Sequence, residues 1–163
     1  MAKAASGEIE LLLEMIDDAF GGKAWHGPNL RGILRGLTAA EASARPAGVR
    51  HSIAELVIHC GYWKYAVRRR LRGDKRGSFP FKGSNWFVLP DSLDDKTWRS
   101  ILKLLDSEHA GLRAAVAEVA PRRLGIRLPG SEVRYRKLIH GIASHDVYHA
   151  GQIRLLKAML ARG

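Results

Sequence analysis

The stretch SHDVYHAGQ, residues 144–152, places His145 and His149 four positions apart inside a long segment with helical patterning. Residues four apart lie just over one turn apart on a helix, so both imidazoles project from the same face. That face also carries a stripe of apolar residues, namely Leu138, Ile142, Ile153, Leu156 and Leu160. Two imidazoles on an apolar stripe need polar partners, and a divalent metal ion is the partner that suits both. The pattern predicts a core-facing helix over about residues 132–161, with a candidate site on it.

Apolar residues recur with helical spacing in three more long segments. The first covers residues 9–20, and a piece after it, residues 28–37, is either its kinked continuation or a separate helix with Pro28 in the first turn. Ser52 and Glu55 form a capping box ahead of the next long helix.

Ser92 with Asp95 predicts the start of the third long segment, and Pro121 closes it. Residues 73–90, rich in glycine, proline and aromatic residues, predict a long ordered loop, and such loops are often functional. Neither strand alternation nor a fixed-period repeat is present. The sequence therefore predicts an all-α fold, a four-helix bundle with one or two large connections.

Length and composition narrow the class of protein. A chain of 163 residues with 46% hydrophobic and 26% charged residues predicts a single globular domain, residues 1–163. The single cysteine, Cys60, excludes an intramolecular disulfide and fits a reducing compartment. The N-terminus lacks a hydrophobic signal core, and no apolar run approaches the ~18 residues that a membrane span needs. We expect a cytoplasmic protein without a membrane partner.

The charge balance is strongly basic, with 27 Lys and Arg against 16 Asp and Glu, a net charge of +11. Residues 68–76 carry one cluster, which favours a phosphate-bearing partner, either nucleic acid or an anionic small-molecule substrate. Residues 68–72 also fit the last turn of a helix, where cations are stabilised by the helix dipole. Because no nucleic-acid recognition motif is present, a solvated basic face is favoured over a nucleic-acid site.

A tight divalent site needs a third ligand besides His145 and His149. His59 lies at the edge of a core stripe and is the first choice, and His109 is the second. His140 is rotated by about 140° from His145 and cannot join the pair easily. Three imidazoles would leave a coordination position open, as in catalytic sites, and imidazole suits zinc, nickel, copper or iron. The alternative is that these histidines are satisfied core or surface residues.

Other residues near the pair have candidate roles. Gln152 shares the metal face and could line the pocket, brace a ligand or pack the helix. Tyr148 and Trp86 could wall a substrate cavity, although aromatic packing is the commoner explanation. Asp146 points away from His145 and is expected to bond a neighbouring helix.

Four segments together resemble the DinB/YfiT family of metal-binding helical proteins. They are HDVYHAGQ at residues 145–152, SIAELVIH at 52–59, WHGP at 25–28 and NW at 85–86. The resemblance covers about residues 8–160, and its C-terminal run is the most specific part. It implies an up-down-down-up four-helix bundle, a homodimer, and a divalent ion held by His59, His145 and His149. Zinc and nickel are the favoured ions.

The resemblance is less informative about activity, since the family includes thiol transferases, isomerases that use mycothiol, hydrolase-like proteins and members without an established activity. We therefore expect a metal-dependent enzyme, either a transferase of the thiol S-transferase type or a hydrolase, acting on a small molecule. A low-molecular-weight thiol is the expected co-substrate of a transferase. Two alternatives remain open: a non-catalytic basic protein that binds nucleic acid in a damage response, and a bundle in which the metal is purely structural.

Overall fold

Four long helices form the protein. The computed structural model describes residues 2–77 and 79–161, with side chains from residue 7 onward. Met1, at the N-terminus of the predicted domain, and Ser78, in the predicted long loop, therefore lie outside the described residues. The long helices are α1 (Ala2–Phe20), α4 (Ile53–Arg72), α5 (Asp95–Ala117) and α6 (Tyr135–Leu160); two short ones, α2 (Leu30–Ile33) and α3 (Ala39–Ser43), connect α1 to α4. Within the described residues the only β-structure is two isolated bridges, and no helix there is both long and apolar enough to cross a membrane. The predicted all-α class is confirmed.

Side-chain caps explain where the central helix begins and ends. The Ser52 hydroxyl accepts a hydrogen bond from the Glu55 amide, and the Glu55 carboxylate accepts one from the Ser52 amide at 3.0 Å. This is the predicted capping box, which satisfies two of the free N–H groups at the start of α4. Gly73 ends the helix with φ of 77°, a left-handed conformation that glycine adopts without steric cost.

Three boundary predictions need correction. Asp94, not Ser92, caps α5, because its carboxylate accepts the Thr97 amide at 2.7 Å. Helix α5 ends at Ala117, so Pro121 does not close it but opens a separate 3₁₀ turn. The piece at residues 28–37 is a separate short helix capped by the Asn29 side chain, so Pro28 precedes the cap instead of lying in the first turn.

The core shows the direction in which each long helix runs. One cluster of buried apolar residues joins the N-terminal halves of α4 and α5 to the C-terminal half of α6. The second cluster joins α1 to the C-terminal halves of α4 and α5 and the N-terminal half of α6. Helix α1 ends at Phe20, which belongs to the first cluster. Helices α4 and α5 are therefore parallel to each other and antiparallel to α1 and α6, the up-down-down-up arrangement.

The parallel pairing of α4 and α5 explains the long loop between them. A helix of 20 residues is about 30 Å long, so the chain must travel back along the bundle before α5 can begin. Residues 73–94 make that return, and Phe87 and Leu89 anchor the loop in the first core cluster. Residues 85–87 are thereby brought against the N-terminal half of α4, where His59 lies.

Candidate metal centre

The three histidines favoured by the sequence meet between α4 and α6. The Nε2 atom of His145 lies 3.1 Å from Nε2 of His59 and 3.1 Å from Nε2 of His149. His59 and His149 are 5% and 4% exposed, whereas His145 is half-buried. A tetrahedral ion with metal–nitrogen bonds of about 2.05 Å separates its ligands by about 3.3 Å. The spacing of the three nitrogens is therefore compatible with a metal site that opens toward His145.

The long loop orients His59. Its Nδ1 lies 2.7 Å from the backbone carbonyl of Asn85, an oxygen that can only accept, so Nδ1 carries the proton. Asn85 has a φ of 67°, an uncommon conformation for a residue other than glycine. The Asn85 side-chain oxygen in turn accepts the Trp63 indole N–H at 2.9 Å. With Nδ1 protonated, neutral His59 presents a lone pair from Nε2 toward the other histidines.

A second chain of hydrogen bonds orients His149. Its Nδ1 donates to the Gln152 side-chain oxygen at 2.6 Å, and the Gln152 amide nitrogen donates to the Tyr148 hydroxyl at 3.1 Å. Gln152 therefore fixes the orientation of the His149 ring. Tyr148 is 63% exposed and forms part of the rim of the site.

Proton accounting shows that a cation fits these residues. His59 and His149 each direct an Nε2 lone pair at His145. A proton on Nε2 of His145 can be donated to only one of them, so at least one buried lone pair is left without a donor. An unsatisfied buried acceptor is costly, and a shared divalent ion would satisfy all three nitrogens.

Burial keeps the three rings in the neutral form that metal binding requires. Loss of solvent, together with the nearby His149, His59 and Lys64, lowers the pKa of His145 to about 3. Loss of solvent also lowers the pKa of His149 to about 4, against the opposing effect of the Gln152 hydrogen bond. The pKa of His59 is lowered by burial as well. Protons therefore compete weakly for these nitrogens near neutral pH.

Trp86 holds one side of the site by stacking. Its indole ring lies 3.9 Å from the His59 ring at an interplanar angle of 8°, and its other face lies 3.9 Å from the His51 ring. Trp86 therefore fixes the plane of a candidate ligand, in addition to any role as a cavity wall. His51 sits beyond it, 3.6 Å from the Glu55 carboxylate.

A buried ion pair lies behind His145. The Lys64 ammonium of α4 donates to the Asp146 carboxylate of α6, and both side chains are almost fully buried. This agrees with the expectation that Asp146 bonds a neighbouring helix. The other Asp146 carboxylate oxygen and Nδ1 of His145 have no hydrogen-bond partner among the described residues. A carboxylate oxygen of Asp146, a ring nitrogen of His145 and Cys60 Sγ all lie within 4.8 Å of one another.

The remaining histidine candidates lie elsewhere. His109, the second choice for third ligand, stacks on Phe20 with ring centroids 3.6 Å apart and does not reach the cluster. Burial, together with the Lys64 and Arg113 charges, lowers the pKa of His109 to about 3. His140 is exposed on the far side of α6, as its rotation predicts.

Several contributing groups were not identified from the sequence. The Asn85 carbonyl is a backbone atom, so residue type gives no sign of its role. Trp63 donates its indole N–H to the Asn85 side chain, and its neighbour Lys64, on the apolar side of α4, pairs with Asp146. A lysine within an apolar stripe was the one available signal, because a buried ammonium needs an anionic partner.

Comparison with known proteins gives one match. A family model described as the DinB superfamily matches residues 24–153, a range that contains all three histidines and the long loop. Neither the curated proteins nor the solved structures gave a match.

Proposed function

The chain belongs to the DinB superfamily, and from that premise we propose that it is a metal-dependent enzyme, a transferase of the thiol S-transferase type or a hydrolase. The observation that carries the proposal is the convergence of three Nε2 atoms, from His59, His145 and His149, of which His59 and His149 are buried and His145 is half-buried. These residues would hold one divalent ion. Imidazole ligands suit zinc, nickel, copper and iron alike, and zinc and nickel are the ions that we propose. When bound, such an ion acts as a Lewis acid and lowers the pKa of a thiol or water at its open position.

The residues around the histidines have separate tasks in this proposal. Asn85 and Gln152 keep Nδ1 protonated on His59 and His149, which directs the Nε2 lone pairs inward. Trp86 fixes the plane of the His59 ring and excludes water from that side. Tyr148, at the exposed rim, is placed to contact a substrate that approaches His145.

The ligand count favours a catalytic over a purely structural ion. Structural zinc sites have four protein ligands, whereas catalytic sites have three and keep one position open. Among the described residues no fourth side chain joins the group of His59, His145 and His149. The Cys60 thiol belongs to a different group, behind His145, and burial raises its pKa well above the ordinary range.

Part of the basic cluster is paired within the protein, which weakens the nucleic-acid alternative. Arg68 pairs with Glu108 at 3.0 Å and Arg72 pairs with Glu118 at 3.0 Å. Two of the cations on the C-terminal turns of α4 are thus already neutralised within the protein. The homodimer implied by the family stays a prediction, which light scattering coupled to size-exclusion chromatography tests directly.

Cobalt substitution provides the test of function. Co²⁺ would be loaded in place of the native ion, and the absorption spectrum recorded before and after addition of a low-molecular-weight thiol. A transferase predicts a new sulfur-to-cobalt charge-transfer band and thiol-dependent consumption of an electrophile. A hydrolase predicts no such band but metal-dependent ester or amide cleavage. Absence of both activities from fully loaded protein would overturn the proposal.

A further inference from the structure

Three arginines line one recess beside the C-terminal half of α4. Arg69, Arg70 and Arg76 border a cavity of about 310 Å³ between the helix and the start of the long loop. Within the described parts of the chain, no carboxylate forms an ion pair with any of the three, in contrast to Arg68 and Arg72 on the same helix. The recess is therefore a concave surface lined by three arginines that form no ion pair among the described residues, although Asp74 borders the adjoining recess.

Arg69 is held in place but incompletely satisfied. Its Nη1 donates to the backbone carbonyl of Asp74 at 3.1 Å, which fixes the position of the guanidinium. Its Nε is buried and has no acceptor among the described residues. Arg69 and Arg70 also border an adjoining recess of about 380 Å³ on the side of residues 128–133. The guanidinium groups of Arg69 and Arg70, which line both recesses, are suited to an anion.

Trp63 connects this recess to the histidine cluster. The guanidinium carbon of Arg70 lies 5.9 Å from the Trp63 ring centroid. The centroid of that ring is also 6.4 Å from the centroid of His59 and 6.3 Å from that of His145. Trp63 therefore forms a wall of the recess and contacts the candidate metal site. One aromatic ring separates the two.

We propose that this recess binds a small multiply charged anion, either a phosphate ester or a dicarboxylate, and so holds the anionic part of the substrate of the histidine site. The assignment to a substrate rests on the proposed function; the anion site itself does not. The cavity volume matches a small ligand. Tyr62, Tyr65 and Phe79 line other parts of the recess and would contact an apolar group that the anion carries.

Calorimetric titration tests this proposal. The probes are inorganic pyrophosphate and malonate, titrated separately at pH 7 and about 0.15 M salt, where exposed charges are screened. The variants are Arg69→Gln, Arg70→Gln and, as a matched control, Arg122→Gln. Arg122 is exposed, has no ion pair in the described part of the chain and lies outside the recess. Each titration is performed before and after removal of metal by chelation and dialysis.

We expect the Arg69 and Arg70 variants each to weaken binding about ten-fold or more, since each loses a charge-assisted hydrogen bond. The Arg122 variant should change binding less than about two-fold. The probe that binds more tightly distinguishes a phosphate ester from a dicarboxylate.

Absence of binding by the unaltered protein, or equal loss in all three variants, would overturn the proposal. Anion binding that is lost on removal of the metal, and that is unchanged in the Arg69 and Arg70 variants, would place the anion on the metal. This result would also overturn the proposal. If a single-stranded oligonucleotide binds through these arginines more tightly than either probe, the recess is part of a nucleic-acid surface and the small-anion proposal is wrong. If the protein binds no metal but the arginine dependence holds, the anion site stands and the proposed enzyme function fails.

Discussion

Replacement of Lys64 by methionine should be among the most destabilising single changes in the protein. The Lys64 side chain is 0% exposed and the Asp146 side chain 1% exposed, so their ion pair is removed from water. The ammonium also lies 5.1 Å from the Phe20 ring centroid. Methionine keeps the length and apolar stem of lysine but leaves the Asp146 carboxylate without its counter-ion.

The expected cost follows from that uncompensated charge. Breaking a buried ion pair by removing one partner costs about 3–5 kcal/mol, whereas an exposed pair contributes about 0–1 kcal/mol. The matched control is Arg72→Met, which breaks a pair whose side chains are 34% and 59% exposed. The double variant Lys64→Met with Asp146→Leu removes both charges, so we expect it to be more stable than Lys64→Met alone.

Urea unfolding followed by circular dichroism at pH 7 gives the free energies of unfolding of the unaltered protein and of the three variants, provided each transition is two-state. We expect a loss of about 3–5 kcal/mol for the Lys64 variant, less than about 1 kcal/mol for the Arg72 control, and partial recovery in the double variant. A Lys64 variant as stable as the Arg72 control would refute the reasoning, because Asp146 would then not need its partner.

Two further predictions concern single side chains. Gln152→Ala removes the acceptor of the His149 Nδ1 proton and should lower metal affinity about 10–100-fold. Tyr148→Phe keeps that acceptor and should lower metal affinity less. Competitive chelator titration measures both affinities, and equal values for the two variants would contradict this prediction. Burial lowers the pKa of folded His109 to about 3, whereas histidine in the unfolded chain has a pKa near 6.5. Between these two values the unfolded chain takes up a proton that the folded protein does not. The free energy of unfolding should therefore be highest at pH values above about 6.5 and should fall as the pH drops toward 3. His109→Phe should flatten this dependence in urea titrations at pH 7.5, 6 and 5, and an unchanged slope would count against it.

The periodicity of the sequence was sufficient to predict the architecture. Apolar stripes at helical spacing require a buried face, and four such stripes in a chain without strand alternation leave a helical bundle as the solution. The Ser52 capping box located the start of α4, because its two side chains satisfy a requirement local in sequence. The start of α5 was placed less well, since Ser92 and Asp94 are both good caps and only the folded backbone selects Asp94.

The candidate site was predictable where it depends on helix faces and not where it depends on the loop. His145 and His149 share a face by spacing, and His59 borders a stripe that must meet that face. The Asn85 carbonyl and the stacking of Trp86 on His59 result from the path of the long loop, which no local pattern specifies. The recess between Arg69 and Arg70 is equally a tertiary feature, because sequence shows the arginines but not which of them pair with a carboxylate.

Metal content is the most direct test of the central claim that His59, His145 and His149 form a divalent metal site. The measurement is elemental analysis of protein purified without a histidine tag, for the unaltered chain and for His145→Ala, with His140→Ala as a control on the exposed side of the same helix. We predict about one divalent ion per chain in the unaltered protein and in the His140 variant, and almost none in the His145 variant with its helical circular dichroism retained. Metal that persists in the His145 variant, or is absent from all three proteins after incubation with zinc and with nickel, would contradict the account.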